Sequence, residues 1–186
     1  MNLALKRMTV AEFLEWAESQ PEGDFELVDG QVVAMVQERA LHNLAKMAVA
    51  RALQDAVGAA GLSCIVYTDG MTVEITEHTA RGPDAIVQCN EPVDLDSMVV
   101  RNPLIVVEVV SPTSERRDTD AKLVEYFSVS SIMHYLIVFP HKRVVVHHQR
   151  GSQDRIETAL VRSGEIILRP PGIVVPIDAI LDVGFD

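Results

Sequence analysis

Apolar and polar positions recur along this chain with two periods, and the switches between them lay out the elements. Thr9 and Glu12 stand three residues apart ahead of an apolar pattern, the spacing of a capping box. A short amphipathic helix over 10–19 follows, with Phe13, Leu14 and Ala17 on its apolar side. The apolar runs 25–28 and 32–36 flank Asp29-Gly30. An Asp-Gly step between such runs predicts a β-hairpin, because the turn needs positive φ. Across 37–60, Leu41, Leu44, Ala45, Ala48, Val49, Ala52, Leu53, Ala56 and Val57 repeat at helical spacing and predict a long helix, stopped by Gly58 or Gly61. Its alanines allow close approach to a neighbouring layer.

Strands are then expected at 62–67, 71–75, 85–89 and 104–110, with Asp69-Gly70 as a second tight turn. The polar stretch 90–102 reads as a surface loop. Ser111-Pro112-Thr113-Ser114 is helix-start chemistry, and a helix over 116–128 fits it. Strands at 133–139 and 143–148 pair across Pro140-His141-Lys142. Weaker strands fall at 156–161 and 165–168, and 172–181 reads as a last strand and a helical turn. No repeat, linker or low-complexity tract divides the chain. The order predicts one α/β domain over 1–186, a mixed sheet flanked by helices.

Composition adds limits. A chain of 186 residues with 48% apolar content buries a full core without a metal or disulfide staple. No apolar run reaches the ~18–20 residues needed to span a bilayer. The N-terminus is not patterned as a signal peptide, so a cytoplasmic protein is expected. Cys64 and Cys89 lie in apolar strand-like runs and read as buried thiols of a reducing compartment. The net charge of −11 argues against a nucleic-acid partner, because phosphate binding rests on Lys and Arg. The charge is uneven, however. Residues 1–100 carry 6 Lys and Arg against 16 Asp and Glu, and residues 101–186 carry 10 against 11. Much of the excess reads as solvated surface: Glu12, Glu15, Glu18 and Glu22 at helical spacing, and the loop acids Glu91, Asp94 and Asp96.

The chemistry lies in acids at apolar positions. Glu108 interrupts Pro103-Leu104-Ile105-Val106-Val107-Glu108-Val109-Val110, a run apolar on both faces, as in a central strand. An unpaired carboxylate there costs several kcal/mol or more, so it is ion-paired, hydrogen-bonded or metal-bound. Asp84 opens the run Ala85-Ile86-Val87, where it either caps a turn or joins a site. Adjacent strands could set Asp84 beside Glu108. Paired carboxylates repel unless a proton or divalent cation lies between them, and hard oxygen ligands suit Mg²⁺ or Mn²⁺. Lys122 follows fourteen positions after Glu108, with Asp118 and Tyr126 one turn to either side. It is either an exposed lysine paired with Asp118 or the cation of a site. Glu26 alternates with apolar residues and either faces solvent or joins the acids. His147 and His148 are adjacent on a strand, point to opposite faces and make a poor joint metal site.

Taken in order, Phe-Glu-Leu-Val-Asp-Gly (25–30), Pro-Asp (83–84), Val-Glu-Val-Val-Ser-Pro (107–112) and Lys-Leu-x-x-Tyr (122–126) resemble the Uma-type endonuclease family. That family is placed in the PD-(D/E)XK, restriction-endonuclease-like superfamily, and the resemblance runs over nearly the whole chain. It implies a restriction-endonuclease-like core and metal-dependent cleavage of DNA phosphodiester bonds, with Mg²⁺ or Mn²⁺ as cofactor. It implies Asp84 and Glu108 as metal-binding acids and Glu26 as an acid completing the metal and water shell. The superfamily's usual lysine position is Val110 here, and the family pattern supplies Lys122 from the following helix instead. Tyr126 and His42 match weaker family positions. Arg116 and Arg117 are candidate contacts to the DNA backbone. A homodimer is the superfamily's expectation. The alternatives are a non-catalytic binding module on the same fold, and a metal-dependent enzyme acting on RNA or a nucleotide.

Overall fold

The computed structural model describes residues 7–35, 37–110, 119–153 and 155–183. Helix α1 (Val10–Glu18) begins with the expected capping box. The Thr9 hydroxyl accepts the Glu12 N–H at 3.2 Å, and the Glu12 carboxylate accepts the Thr9 N–H at 2.9 Å. Strands β1 (Phe25–Val28) and β2 (Gln31–Ala34) form the hairpin, and both turn residues have positive φ, 50° at Asp29 and 78° at Gly30. Gly30 has a further reason to be glycine, since a Cβ there would stand 2.6 Å from the Cβ of Arg7. The long helix α2 (Ala40–Ala59) starts three residues later than its periodicity suggests, with Arg39 at its cap in an extended conformation.

The chain continues through β3 (Cys64–Thr68), β4 (Val73–Thr76), β5 (Thr79–Arg81), β6 (Ala85–Cys89) and β7 (Ile105–Val109). Then come α3 (Thr119–Ser128), β8 (His134–Phe139), β9 (Val144–Arg150), β10 (Ile156–Val161), β11 (Glu165–Leu168), β12 (Ile173–Pro176) and α4 (Ile177–Leu181). Strand β5 has no apolar alternation to announce it. It is a strand because it pairs with β1 and β4. The expected helix start at Ser111–Ser114 lies outside the described residues, as do Arg116, Arg117 and Asp118.

Six strands form the central sheet in the order β10-β9-β8-β7-β6-β3. Strands β7 and β8 run parallel, with α3 as the crossover between them, and the other neighbours run antiparallel. The sheet is therefore mixed, as expected. Ala85, Val87, Ile105, Val107, Val109, Leu136 and Val138 pack on one face with α2, α4, β11 and β12. Ile86, Val106, Tyr135 and Ile137 pack on the other face with Tyr126 and Phe127 of α3. Both faces are covered, which is why these strands read as continuous apolar runs. A second sheet, β2-β1-β5-β4, is backed by α1 through Val10, Phe13, Leu27 and Ala80. Among the described residues no helix is long and apolar enough to cross a membrane.

The cysteines differ from the sequence reading. Cys64 and Cys89 face each other in the β3–β6 register, with Cα atoms 4.0 Å apart, and are joined by a disulfide. They are not the separate buried thiols expected. Their apolar surroundings do not reveal strand pairing, and pairing sets the two sulfurs together across 25 residues of sequence.

Candidate active site

The path from β5 to β6 carries the chain from the small sheet to the large one. Arg81 ends β5, Gly82-Pro83 crosses, and Asp84 precedes β6. Ala85 lies opposite Val107 in the β6–β7 register, so the next antiparallel step sets Asp84 across from Glu108. The Val109 N–H fixes that position by donating to Asp84 Oδ2 at 2.6 Å. Asp84 is 5% exposed, and little water reaches it.

Glu108 meets α3. Lys122 Nζ donates to Glu108 Oε1 at 2.9 Å, and the Tyr126 hydroxyl donates to the same oxygen at 2.6 Å. Residues four apart on a helix share a face, so one turn of α3 delivers both donors. Lys122 also donates to Glu26 Oε1 at 3.2 Å, reaching across to the small sheet. Leu27 pairs with Ala80, which brings Glu26 beside Arg81. Arg81 donates to Glu26 Oε2 at 2.8 Å and grips Glu125 of α3 with two bonds of 2.7 and 2.9 Å. The Gly82 N–H adds a bond of 3.3 Å to Glu26 Oε1.

On the other side of Asp84 stands α2. Lys46 Nζ lies 3.7 Å from Asp84 Oδ1, 2.7 Å from Asp69 Oδ2 and 2.5 Å from Glu38 Oε1. His42 Nε2 is 3.6 Å from both Glu38 Oε1 and Asp84 Oδ2. Among the described residues, six carboxylates (Glu26, Glu38, Asp69, Asp84, Glu108 and Glu125) thus surround three cations, Lys46, Arg81 and Lys122. With every acid ionised, negative charge is in excess.

The electrostatics follow from burial and from this excess. Burial pushes the Glu108 carboxyl up to about 7, against the pull of Lys122 and with the push of Asp84. Burial would lower Lys122, but Glu108 and Glu26 raise it above the ordinary lysine value and hold it protonated. Burial works against Arg81 as well, and Glu125 and Glu26 outweigh it. Tyr126 is raised, first by burial and then by the Glu108 charge, so its phenol stays a donor. Burial would lower His42, yet Asp84 and Glu38 together raise it.

Glu26, Asp84, Glu108, Lys122 and Tyr126 therefore converge, and His42 stands beside Asp84. Glu26 has both oxygens engaged, with Arg81, Gly82 and Lys122. Arg116 and Arg117 lie outside the described residues. His147 and His148 are elsewhere: His147 Nε2 meets His134 Nδ1 at 2.9 Å, and His148 Nδ1 meets the Thr158 hydroxyl at 2.8 Å. Sequence reasoning missed Arg81, Glu125, Glu38, Lys46 and Asp69. One signal was available, since Glu38, His42 and Lys46 recur in steps of four beside an otherwise apolar helix face. A cavity of about 500 Å³ lies away from this site. It lies at the opposite strand ends, lined by residues including Leu104, Met133 and the Cys64–Cys89 pair.

The donor set suits a divalent cation: two carboxylates in adjacent register, hydrogen-bonded on one oxygen each and set in excess negative charge. Comparison with known proteins agrees with a nuclease-like frame. A solved structure described as "a putative nuclease belonging to DUF820 from Anabaena variabilis ATCC 29413" shares the fold, with a TM-score of 0.72 at 13% identity, over 95% of this chain and 98% of that one. Two uncharacterized proteins of Synechocystis sp. are also similar. One, sll1609, is 26% identical over 160 residues, 84% of this chain and 89% of its own length. The other, slr1290, is 23% identical over 176 residues, 94% and 91% of the two chains. The family described as "Uma2: Putative restriction endonuclease" matches residues 10–179, a span that holds every site acid and the α3 lysine. The chain belongs to the Uma2 family, on a restriction-endonuclease-like fold.

Proposed function

We propose that the protein is a divalent-metal-dependent nuclease that hydrolyses DNA phosphodiester bonds at the Asp84–Glu108–Lys122 cluster. The observation that carries this reading is the placement of Asp84 across from Glu108 with the Lys122 ammonium on the second acid. Asp84 and Glu108 would hold Mg²⁺ or Mn²⁺. When bound, such an ion polarises a phosphoryl oxygen and lowers the pKa of a water.

The chain's own residues supply the rest. The Val109 N–H and the Tyr126 hydroxyl each hold one oxygen of an acid and so orient the pair. Lys122 Nζ would bring a fixed positive charge to the phosphoryl oxygens on which negative charge builds, where a preorganised donor is worth most. Glu26 and Glu108 keep that ammonium in position from two sides. Arg81 ties Glu26 to Glu125 and locks α3 against the small sheet. The usual lysine two residues after the second acid is absent, and Lys122 approaches Glu108 from the helix instead. Glu26, expected to reach the metal shell, acts here by positioning Lys122.

Two copies would serve the two strands of a duplex, one site to each. The charge of −11 fits this reading if metal neutralises part of the cluster, and it makes metal-free DNA binding weak. The test is incubation of supercoiled plasmid with Mn²⁺ or Mg²⁺, with and without chelator, beside single-stranded RNA. Metal-dependent nicking of the plasmid is expected. Plasmid left intact at every metal concentration, with RNA cut instead, would overturn the DNA assignment.

A further inference from the structure

We propose that Glu38, His42 and Asp84 form a second cation site, one that prefers a transition ion of the Mn²⁺ or Zn²⁺ class to Mg²⁺. It deepens the reading above, since it shares Asp84 with the ion placed between Asp84 and Glu108.

The argument begins at His42. Its Nε2 is buried and has no hydrogen-bond partner among the described residues. The nearest acceptors, Glu38 Oε1 and Asp84 Oδ2, stand 3.6 Å away, too far for a hydrogen bond. A buried imidazole nitrogen that faces two carboxylates and hydrogen-bonds to neither leaves a gap that an ion lying among the three groups would fill. One ligand atom from each of the three residues lies within 4.8 Å of the other two. Donors held by one ion at ~2.1 Å lie roughly 3.0–3.4 Å apart in octahedral or tetrahedral arrangement, so small side-chain movements close the shell.

Charge points the same way. Among the described residues, Glu38, Asp69 and Asp84 share the one ammonium of Lys46. That leaves a negative excess on the side of Asp84 away from Lys122. His42 also borders a cavity of about 50 Å³ walled by Arg39, Leu41, Val110, Pro140 and His141, large enough for a water. One imidazole nitrogen with two carboxylates suits Mn²⁺, Zn²⁺ or Co²⁺. Mg²⁺ prefers oxygen alone.

The experiment titrates the full-length protein with Mn²⁺, followed by calorimetry and by loss of the free-ion electron paramagnetic resonance signal. Wild type is expected to take two ions. His42→Ala and Glu38→Gln are each expected to lose one, with at least tenfold weaker binding there, and Glu108→Gln is expected to lose the other. A tenfold excess of Mg²⁺ should leave the His42-dependent ion in place. Glu38→Gln keeps nearly the same shape and guards against misfolding, which thermal unfolding without metal checks. Unchanged Mn²⁺ stoichiometry and affinity in both His42→Ala and Glu38→Gln would overturn the proposal, whether or not the protein cuts DNA. A His42-dependent ion in a protein that cuts no DNA would uphold it and count against the nuclease reading alone.

Discussion

Asp84 accepts the backbone N–H of Val109 at 2.6 Å, and this one bond fixes its carboxylate to the end of the strand that carries Glu108. The bond needs an acceptor, not a charge. Asp84→Asn should therefore stay within about 1 kcal/mol of wild-type stability. Asp84→Ala should lose about 1–3 kcal/mol, because it strands a buried N–H. Urea unfolding of both variants measures the difference, and equal losses would contradict this role for the bond.

Arg81 joins β5 to α3 through Glu125 and to β1 through Glu26, at 3% exposure. Arg81→Met removes the cation, leaves Glu125 without its charged partner and leaves Glu26 with only Lys122 and the Gly82 N–H. A loss of about 3–5 kcal/mol is expected from breaking a buried pair. The exposed Arg155→Ala should change stability by no more than about 0.5 kcal/mol. Similar unfolding midpoints for the two variants would rule out a structural role for the Arg81 bridge.

The pair His134–His147 makes stability depend on acid. Burial lowers both histidines, and His147 falls to about 4 with His134 and His148 adding to the effect. The 2.9 Å contact between two ring nitrogens needs one of them unprotonated. The unfolded chain protonates His147 near pH 6.5 and the fold resists until about pH 4, so stability present at neutral pH drains away between those values, with His134 acting in the same direction. His134 and His147 are both buried, and the His147 shift alone corresponds to a loss on the order of 3 kcal/mol. His147→Gln should flatten that part of the stability curve. A curve as steep as wild type would assign the acid sensitivity to other groups.

The Cys64–Cys89 bond closes a loop spanning 25 positions. Reduction should cost about 3 kcal/mol, by returning that loop's entropy to the unfolded chain. Chemical unfolding with and without reductant gives the value, and a Cys64→Ser/Cys89→Ser double variant should be indifferent to reductant. A wild-type protein equally indifferent would show that the bond adds nothing to the fold.

The sheet was legible because burial on both faces leaves apolar runs such as 104–110, and because Asp29-Gly30 and the Thr9–Glu12 box have local signatures. Strand β5 had none. Its Thr-Ala-Arg is a strand through pairing partners far away in sequence, and pairing is not written locally. The same divide runs through the site. Glu108 and Asp84 stood out because acids at apolar positions violate a pattern. Arg81 and Glu125 violate nothing, since each sits where a charged residue is ordinary, and only the meeting of β5 with α3 joins them. The disulfide was misread for that reason as well.

The most direct test of the central claim is the rate of plasmid nicking in Mn²⁺ by wild type, Asp84→Asn and Lys122→Ala, each first checked for folding. The account predicts nicking by wild type, abolished by chelator and reduced at least about a hundredfold in both variants. Nicking that continues at the wild-type rate in either variant, or in the presence of chelator, would contradict it.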